Sequence, residues 1–220
     1  MANDFIPLVW RHQSESELLA NAAGFYDRMK SRRSVREFSE EPVPEEVMRS
    51  IIMTAASAPS GANKQPWTFC LVSDPEMKKK IREAAEKEEY ENYHGRMSEE
   101  WLKDLEKFRT DWHKEFLTRA PYLIVIFRKS YDQDDSGNKS KNYYVSESVG
   151  IAAGFLIAAI HMAGLVTLTH TPSPMNFLQQ LLDRPDNERP FLLLPVGYPA
   201  KNVAVPDIVR KPEHEILIKH

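Results

Sequence analysis

Arg32-Arg33-Ser34-Val35-Arg36 puts three arginines into five residues, directly after an amphipathic segment. Pro59-Ser60-Gly61-Ala62-Asn63-Lys64-Gln65-Pro66-Trp67 follows after one helix-sized stretch, so the chain is expected to return both to one pocket. Arginine suits a phosphate because its planar fork donates two parallel hydrogen bonds to paired oxygens. Ser60 and Gly61 add a small hydroxyl and a backbone open to close approach. Read from the residues alone, a solvated basic turn followed by an ordinary loop is equally open.

The chain has 220 residues, 42% of them hydrophobic, enough for one sizeable core, and a single domain over 1–220 is expected. Its 29 basic and 32 acidic residues leave no basic excess for a nucleic-acid backbone. The single cysteine, Cys70, cannot form an internal disulfide and reads as a small core residue. Met1-Ala-Asn-Asp-Phe-Ile-Pro7 has neither a basic nor an apolar signal-peptide region, so no secretory signal and no membrane anchor are expected. Val149–Leu165 is apolar but short for a span, and reads as a buried helix. Its Gly150-xxx-Gly154 spacing would admit another helix at close range, within the chain or across a dimer. A soluble, cytoplasmic protein is expected.

Periodicity predicts helices over 14–30, 45–57, 76–93, 99–118, 143–162 and 174–182, and strands over 67–72, 122–128, 164–169 and 191–196. Residues 132–141 read as a polar loop. Their alternation argues for an α/β or α+β layered domain. After Tyr198 the prolines at 199, 206 and 212 suggest an extended arm, about 199–220.

No G-x-G-x-x-G follows a strand, no G-x-S-x-G occurs, and the seven histidines are scattered without chelating intervals. Rossmann, hydrolase and metal chemistry therefore lack support, which fits an enzyme whose chemistry is carried by a cofactor.

The arginine run taken as opening a helix, with Ala58-Pro59-Ser60-Gly61-Ala62 and Gln65-Pro66-Trp67, resembles the signature of the nitroreductase family, which binds flavin mononucleotide (FMN). The likeness covers roughly residues 25 to 220 and implies an α+β, FMN-binding fold with a central mixed sheet flanked by helices, assembled as an arm-exchanged homodimer. It implies FMN contacts at Arg32, Arg33, Ser34, Val35, Arg36, Pro59, Ser60, Gly61, Thr169, His170, Thr171 and Arg210, with Lys211 the alternative to Arg210. The Thr171 hydroxyl would bond flavin N5 and favour single-electron steps; His170 stands where the pattern has threonine.

Glu89 and Tyr93 are four residues apart on one helix face, and Lys114 lies on the next charged segment. An anion, a phenol and a cation are what an amino acid's ammonium and carboxylate require, although a merely solvated face fits the residues as well. Glu88-Glu89-Tyr90-Glu91-Asn92-Tyr93 with Trp101, Leu105, Arg109-Thr110 and Trp112-xxx-Glu115 resembles the lid, about 87–118, of a dehalogenating branch of the family. That resemblance implies substrate contacts at Ala62, Glu89, Tyr93 and Lys114, and reductive dehalogenation of 3-iodo- and 3,5-diiodo-L-tyrosine. Electrons would come from an NAD(P)H-linked reductase. The alternatives are a general FMN nitroreductase or quinone reductase, and a non-catalytic flavin-binding ligand sensor.

Overall fold

Leu123, Val125 and Phe127 alternate with Ile124 and Ile126 along one strand, and all five are fully buried. Successive side chains of a strand point to opposite faces, so this strand must be covered on both. In the computed structural model, which describes residues 5–220, it is the centre of the fold. The first four positions of the stretch read for a signal sequence lie outside the described residues.

The sheet is built from β1 (Trp67–Val72), β2 (Tyr122–Lys129), β5 (Val166–Thr167) and β6 (Glu188–Gly197), in the order β1-β2-β6-β5. Expected as mixed, it has antiparallel ladders throughout, with parallel pairing in one isolated bridge, Ser34 to Thr167. One face, carrying Ile124, Ile126, Leu194 and Val196, packs on α2 (Glu45–Ala56) and α6 (Val145–Met162). The other, carrying Leu123, Val125, Phe127 and Leu193, packs on α3 (Pro75–Glu91), α5 (Phe116–Arg119) and α7 (Asn176–Leu181).

The chain divides into an N-terminal unit up to Arg32 and a main unit, Arg33–His220. In the first, α1 (Glu15–Ser31) is opened by a capping box between Ser14 and Glu17 and buries none of its residues. In the second, Pro44 precedes α2 and Asp74 caps α3, as the proline and acidic first turns lead one to expect.

Three expectations are corrected. Residues 99–118 do not form one helix: α4 (Glu99–Glu106) ends at Lys107, Arg109 takes a left-handed φ of 47°, and α5 resumes at Phe116. Asp111 accepts the His113 N–H at 2.8 Å, the local side-chain bond by which aspartate competes with helix. Residues 131–141 are a hairpin, β3 (Tyr131–Gln133) with β4 (Lys139–Lys141), closed by Asp134 accepting from Ser136 and Asn138. The arginine run opens no helix and lies extended.

Helix α6 is long and apolar enough to cross a membrane by length and composition alone. Val149, Ala152, Ala153, Leu156 and Ile160 nevertheless sit in the core, while Gly150, Ile151, Gly154 and Phe155 are exposed on the opposite face. The Gly-xxx-Gly surface is thus unused within the main unit.

Gly197, where β6 leaves the sheet, has no room for a side chain: a Cβ would meet Pro121 Cδ at 2.5 Å. Gly197→Ala should cost about 1–3 kcal/mol by overpacking. Urea unfolding should show a lower midpoint at unchanged slope; an unchanged midpoint would mean that the Pro121 ring yields freely.

Candidate active site

The arginine segment is held as an edge of the sheet. Val35 donates its N–H to the Thr167 carbonyl at 3.2 Å, Ser39 donates to Tyr198 at 2.9 Å, and Ala200 donates to Glu37 at 3.0 Å. Val35 and Phe38 point into the core, so Val35 offers a cofactor backbone rather than side chain, while Arg33, Ser34 and Arg36 are left outside it. Arg32 closes the N-terminal unit as the C-cap of α1. The Arg33 guanidinium donates to the Pro206 carbonyl of the C-terminal arm. A cavity of about 460 Å³ is lined by Ser34, Arg36, Lys107, Phe108, Arg109 and arm residues 204–207, among others. Its three cations, Arg36, Lys107 and Arg109, outnumber the carboxylates of Glu37 and Asp207, and with the Ser34 hydroxyl they suit an anionic, polyhydroxylated ligand.

Beside it stands the expected trio. Helix α3 runs on into a π-turn, Asn92–Arg96, which carries Tyr93, and Lys114 comes from the loop before α5. Glu89 Oε2 and Lys114 Nζ are 3.3 Å apart, with side chains 9% and 4% exposed. The Lys114 ammonium also donates to the Asp111 carbonyl and lies 5.4 Å from the Tyr93 ring centre. The Lys114 N–H donates to Glu86 at 2.7 Å, and the Tyr93 hydroxyl donates to the Thr110 carbonyl at 3.2 Å. Burial raises the Glu89 carboxyl and lowers the Lys114 amine, each opposed by attraction to the other. A ligand that brings both an ammonium and a carboxylate could insert between the two without stranding either charge.

Thr169, His170 and Thr171 alternate across the sheet edge. His170 exchanges both backbone hydrogen bonds with Leu193, at 2.8 and 3.1 Å, and its ring meets Phe116 edge-on at 5.4 Å. Thr169 and Thr171 are exposed. Burial, then Lys114 and Arg36, pushes the imidazole down to about 3, so His170 is neutral near pH 7. The ring is buried against Phe116, turned away from the exposed side where Thr169 and Thr171 lie, and the backbone N–H and carbonyl pair with Leu193. Asn92 donates to the Ser173 carbonyl at 3.0 Å, tying the lid to this loop.

The Ser60 loop lies elsewhere. Gly61 donates to Ser148 at 3.4 Å, and a Cβ on it would meet Tyr144 at 2.8 Å, at the start of α6. Ala62, Asn63 and Gln65 all take left-handed φ, near 50°. Gln65 donates to the Ser60 hydroxyl and Asn63 to the Ser60 carbonyl, leaving the Ala62 N–H without a partner among the described residues. Trp67 pairs through Arg128 to Arg189, whereas Ser34 pairs through Thr167 to Val196. Four inter-strand steps across and seven residues along β6 put Trp67 and Ser34 roughly 30 Å apart, at opposite corners of the sheet. The chain therefore does not bring the two stretches to one pocket, as the sequence led one to expect.

Lys107 and Phe108 carried no separate expectation. The signal available was indirect: a charged segment whose helix has to break for Lys114 to reach Glu89.

An antiparallel sheet between two helical layers, with a basic edge segment and a lidded cleft, is the frame of a flavin-dependent reductase. Residues 29–198 match the nitroreductase family model, and the chain belongs to that family. The iodotyrosine deiodinase of Haliscomenobacter hydrossis is 62% identical, over 97% of this chain and 96% of that protein. Iodotyrosine deiodinase 1 of Homo sapiens is 47% identical, over 98% of this chain and 75% of that protein. A solved iodotyrosine deiodinase bound to FMN and 3-iodo-L-tyrosine superposes with a TM-score of 0.76 at 32% identity, over 89% of this chain and 98% of that one.

Glu89→Gln should destabilise the lid by about 3–5 kcal/mol, because it strands the Lys114 charge in a buried site. Hydrogen exchange over residues 107–115 should rise sharply in this variant and return most of the way in Glu89→Gln/Lys114→Met. Equal exchange in the single and double variants would show that the pair contributes nothing to the lid.

Proposed function

We propose that this protein is an FMN-dependent reductive dehalogenase of halogenated tyrosines. It converts 3-iodo- and 3,5-diiodo-L-tyrosine to L-tyrosine and halide, and it acts as a cytoplasmic homodimer. The observation that carries the proposal is the buried Glu89–Lys114 pair with Tyr93 beside it, next to Arg36 and the Thr169–Thr171 edge. The named relatives and the ligand-bound solved structure support the same substrate and cofactor.

The residues divide the work. Arg33, Ser34 and Arg36, with Arg210 of the arm, hold the phosphate and ribityl chain. Pro59, Ser60 and Gly61 would border the flavin ring, and the Ala62 N–H would donate to the substrate phenolate. Glu89 takes the ammonium, while Tyr93 and Lys114 take the carboxylate. The lid thereby orients the ring and excludes water. The exposed Thr171 hydroxyl would donate to flavin N5, with Thr169 beside it. Bound in reduced form, FMN supplies two electrons. The carbon–halogen bond breaks, halide leaves with its electron pair, and the ring carbon gains one proton. An NAD(P)H-linked reductase restores the reduced cofactor.

What supports the homodimer is the separation of the two stretches, the Ser60 loop leading into Trp67 at one corner of the sheet and the arginine segment bridging Thr167 at the other. A second copy can bring its Ser60 loop to the first copy's arginine segment. Exposed apolar side chains are available for such an interface on α1 (Leu18, Leu19, Phe25), on the Gly-xxx-Gly face of α6 (Ile151, Phe155), and on the arm (Ile208, Val209, Ile216). The arm would cross to the partner, and Arg210 with it.

Purified yellow protein, reduced with dithionite, is expected to release stoichiometric tyrosine from 3,5-diiodo-L-tyrosine, measured by chromatography. Flavin-loaded protein that yields no tyrosine would contradict the proposal. Rapid nitroaromatic reduction in its place would point to a general nitroreductase, and halotyrosine binding without turnover to a sensor.

A further inference from the structure

The loop between α4 and α5 touches two places that the functional proposal treats separately. Its first part is fixed by Phe108 and Arg109, whose N–H groups donate to Leu105 at 2.9 Å and Glu106 at 3.1 Å. Arg109 then reverses the chain in the left-handed region, at a cost that an arginine bears only where its surroundings hold it there. Phe108 is thereby turned to Arg36, whose guanidinium carbon lies 5.5 Å from the ring centre. This is within the range of a cation–π contact. Lys107 approaches the same ring at 5.4 Å, and Phe108 and Arg36 both line the 460 Å³ cavity. Two residues beyond Phe108, Thr110 accepts the Tyr93 hydroxyl; six beyond it, Lys114 pairs with Glu89.

One short loop therefore carries both a brace for an arginine of the cofactor cavity and the cation of the amino-acid site. A ligand that satisfies Glu89, Tyr93 and Lys114 holds the loop in place. The held loop keeps Phe108 on Arg36. Without Phe108 the guanidinium keeps its charge but loses the ring that fixes its direction.

We infer that Phe108 is a positioning residue that couples the amino-acid site to the cofactor cavity through its stacking on Arg36, so that halotyrosine and FMN each tighten the binding of the other. This rests on the functional proposal above. The coupling is reciprocal by thermodynamic necessity. Its size follows from one cation–π contact made or lost, roughly two- to thirty-fold in affinity.

The test is FMN titration of the apoprotein, followed by quenching of flavin fluorescence, with and without saturating 3-iodo-L-tyrosine. Wild-type protein should bind FMN more tightly with the amino acid present. In Phe108→Ala the ratio of the two dissociation constants should fall to about one, although FMN still binds. Phe108→Trp, which keeps a ring for Arg36, should retain the ratio, and so should Lys107→Ala. A ratio unchanged in Phe108→Ala, or lost equally in Phe108→Trp and Lys107→Ala, would overturn the inference while leaving the functional proposal intact. Wild-type protein that binds neither compound would overturn both.

Discussion

The pairing of β6 with β2 on one side and β5 on the other fixes where every functional group stands. Through β2 that register reaches Trp67 and the Ser60 loop; through β5 it reaches Thr167 and then Ser34. The same ladder sets which side chains face inward. A slip of one residue would send Leu193 and Leu194 to each other's faces and turn the His170 segment over. The two corners of the sheet are set by hydrogen bonds in its interior, so neither stretch can drift toward the other. In the proposed dimer, a second copy would unite them.

The lid answers to a different constraint. Glu89 and Lys114 are both buried, and each is held against the desolvation of its charge chiefly by the other. A pair of this kind adds little to stability, but removing one partner is expensive. An amino-acid zwitterion brings both charges at once and so can insert without stranding either. A neutral phenol brings neither, so in the proposed role the trio would filter for amino acids as well as clamp them. Neutral His170 beneath the trio adds no competing cation.

Much of this was legible in the chain. The run 122–128 announced a strand buried on both faces, and Pro44 and Asp74 marked helix starts at positions the structure bears out. The Gly150-xxx-Gly154 face, whose spacing would admit another helix, is exposed. The break at Arg109 was not legible, because the flanking residues favour helix and the break is stabilised by distant partners, Glu86 and Glu89. The hairpin at 131–141 escaped notice because its two polar three-residue strands are supported by each other and by the Asp134 turn rather than by the core. Nothing local to the Thr-His-Thr run says which member faces inward; that is decided by the bridge between His170 and Leu193. Most important, the two signature stretches are close in sequence and carry no trace of the sheet order that separates them.

The central claim is that each active site takes its arginine segment from one subunit and its Ser60 loop from the other. The most direct measurement is complementation between two inactive variants, Arg33→Ala/Arg36→Ala and one with the Ser60–Gln65 loop replaced by serine and glycine. A dimer of one subunit of each has one site with both lesions and one with none. Dehalogenation should return to about half the wild-type rate per mixed dimer, by simple counting of intact sites. Mixed dimers as inactive as either parent would place both stretches in a site within one chain and contradict the account.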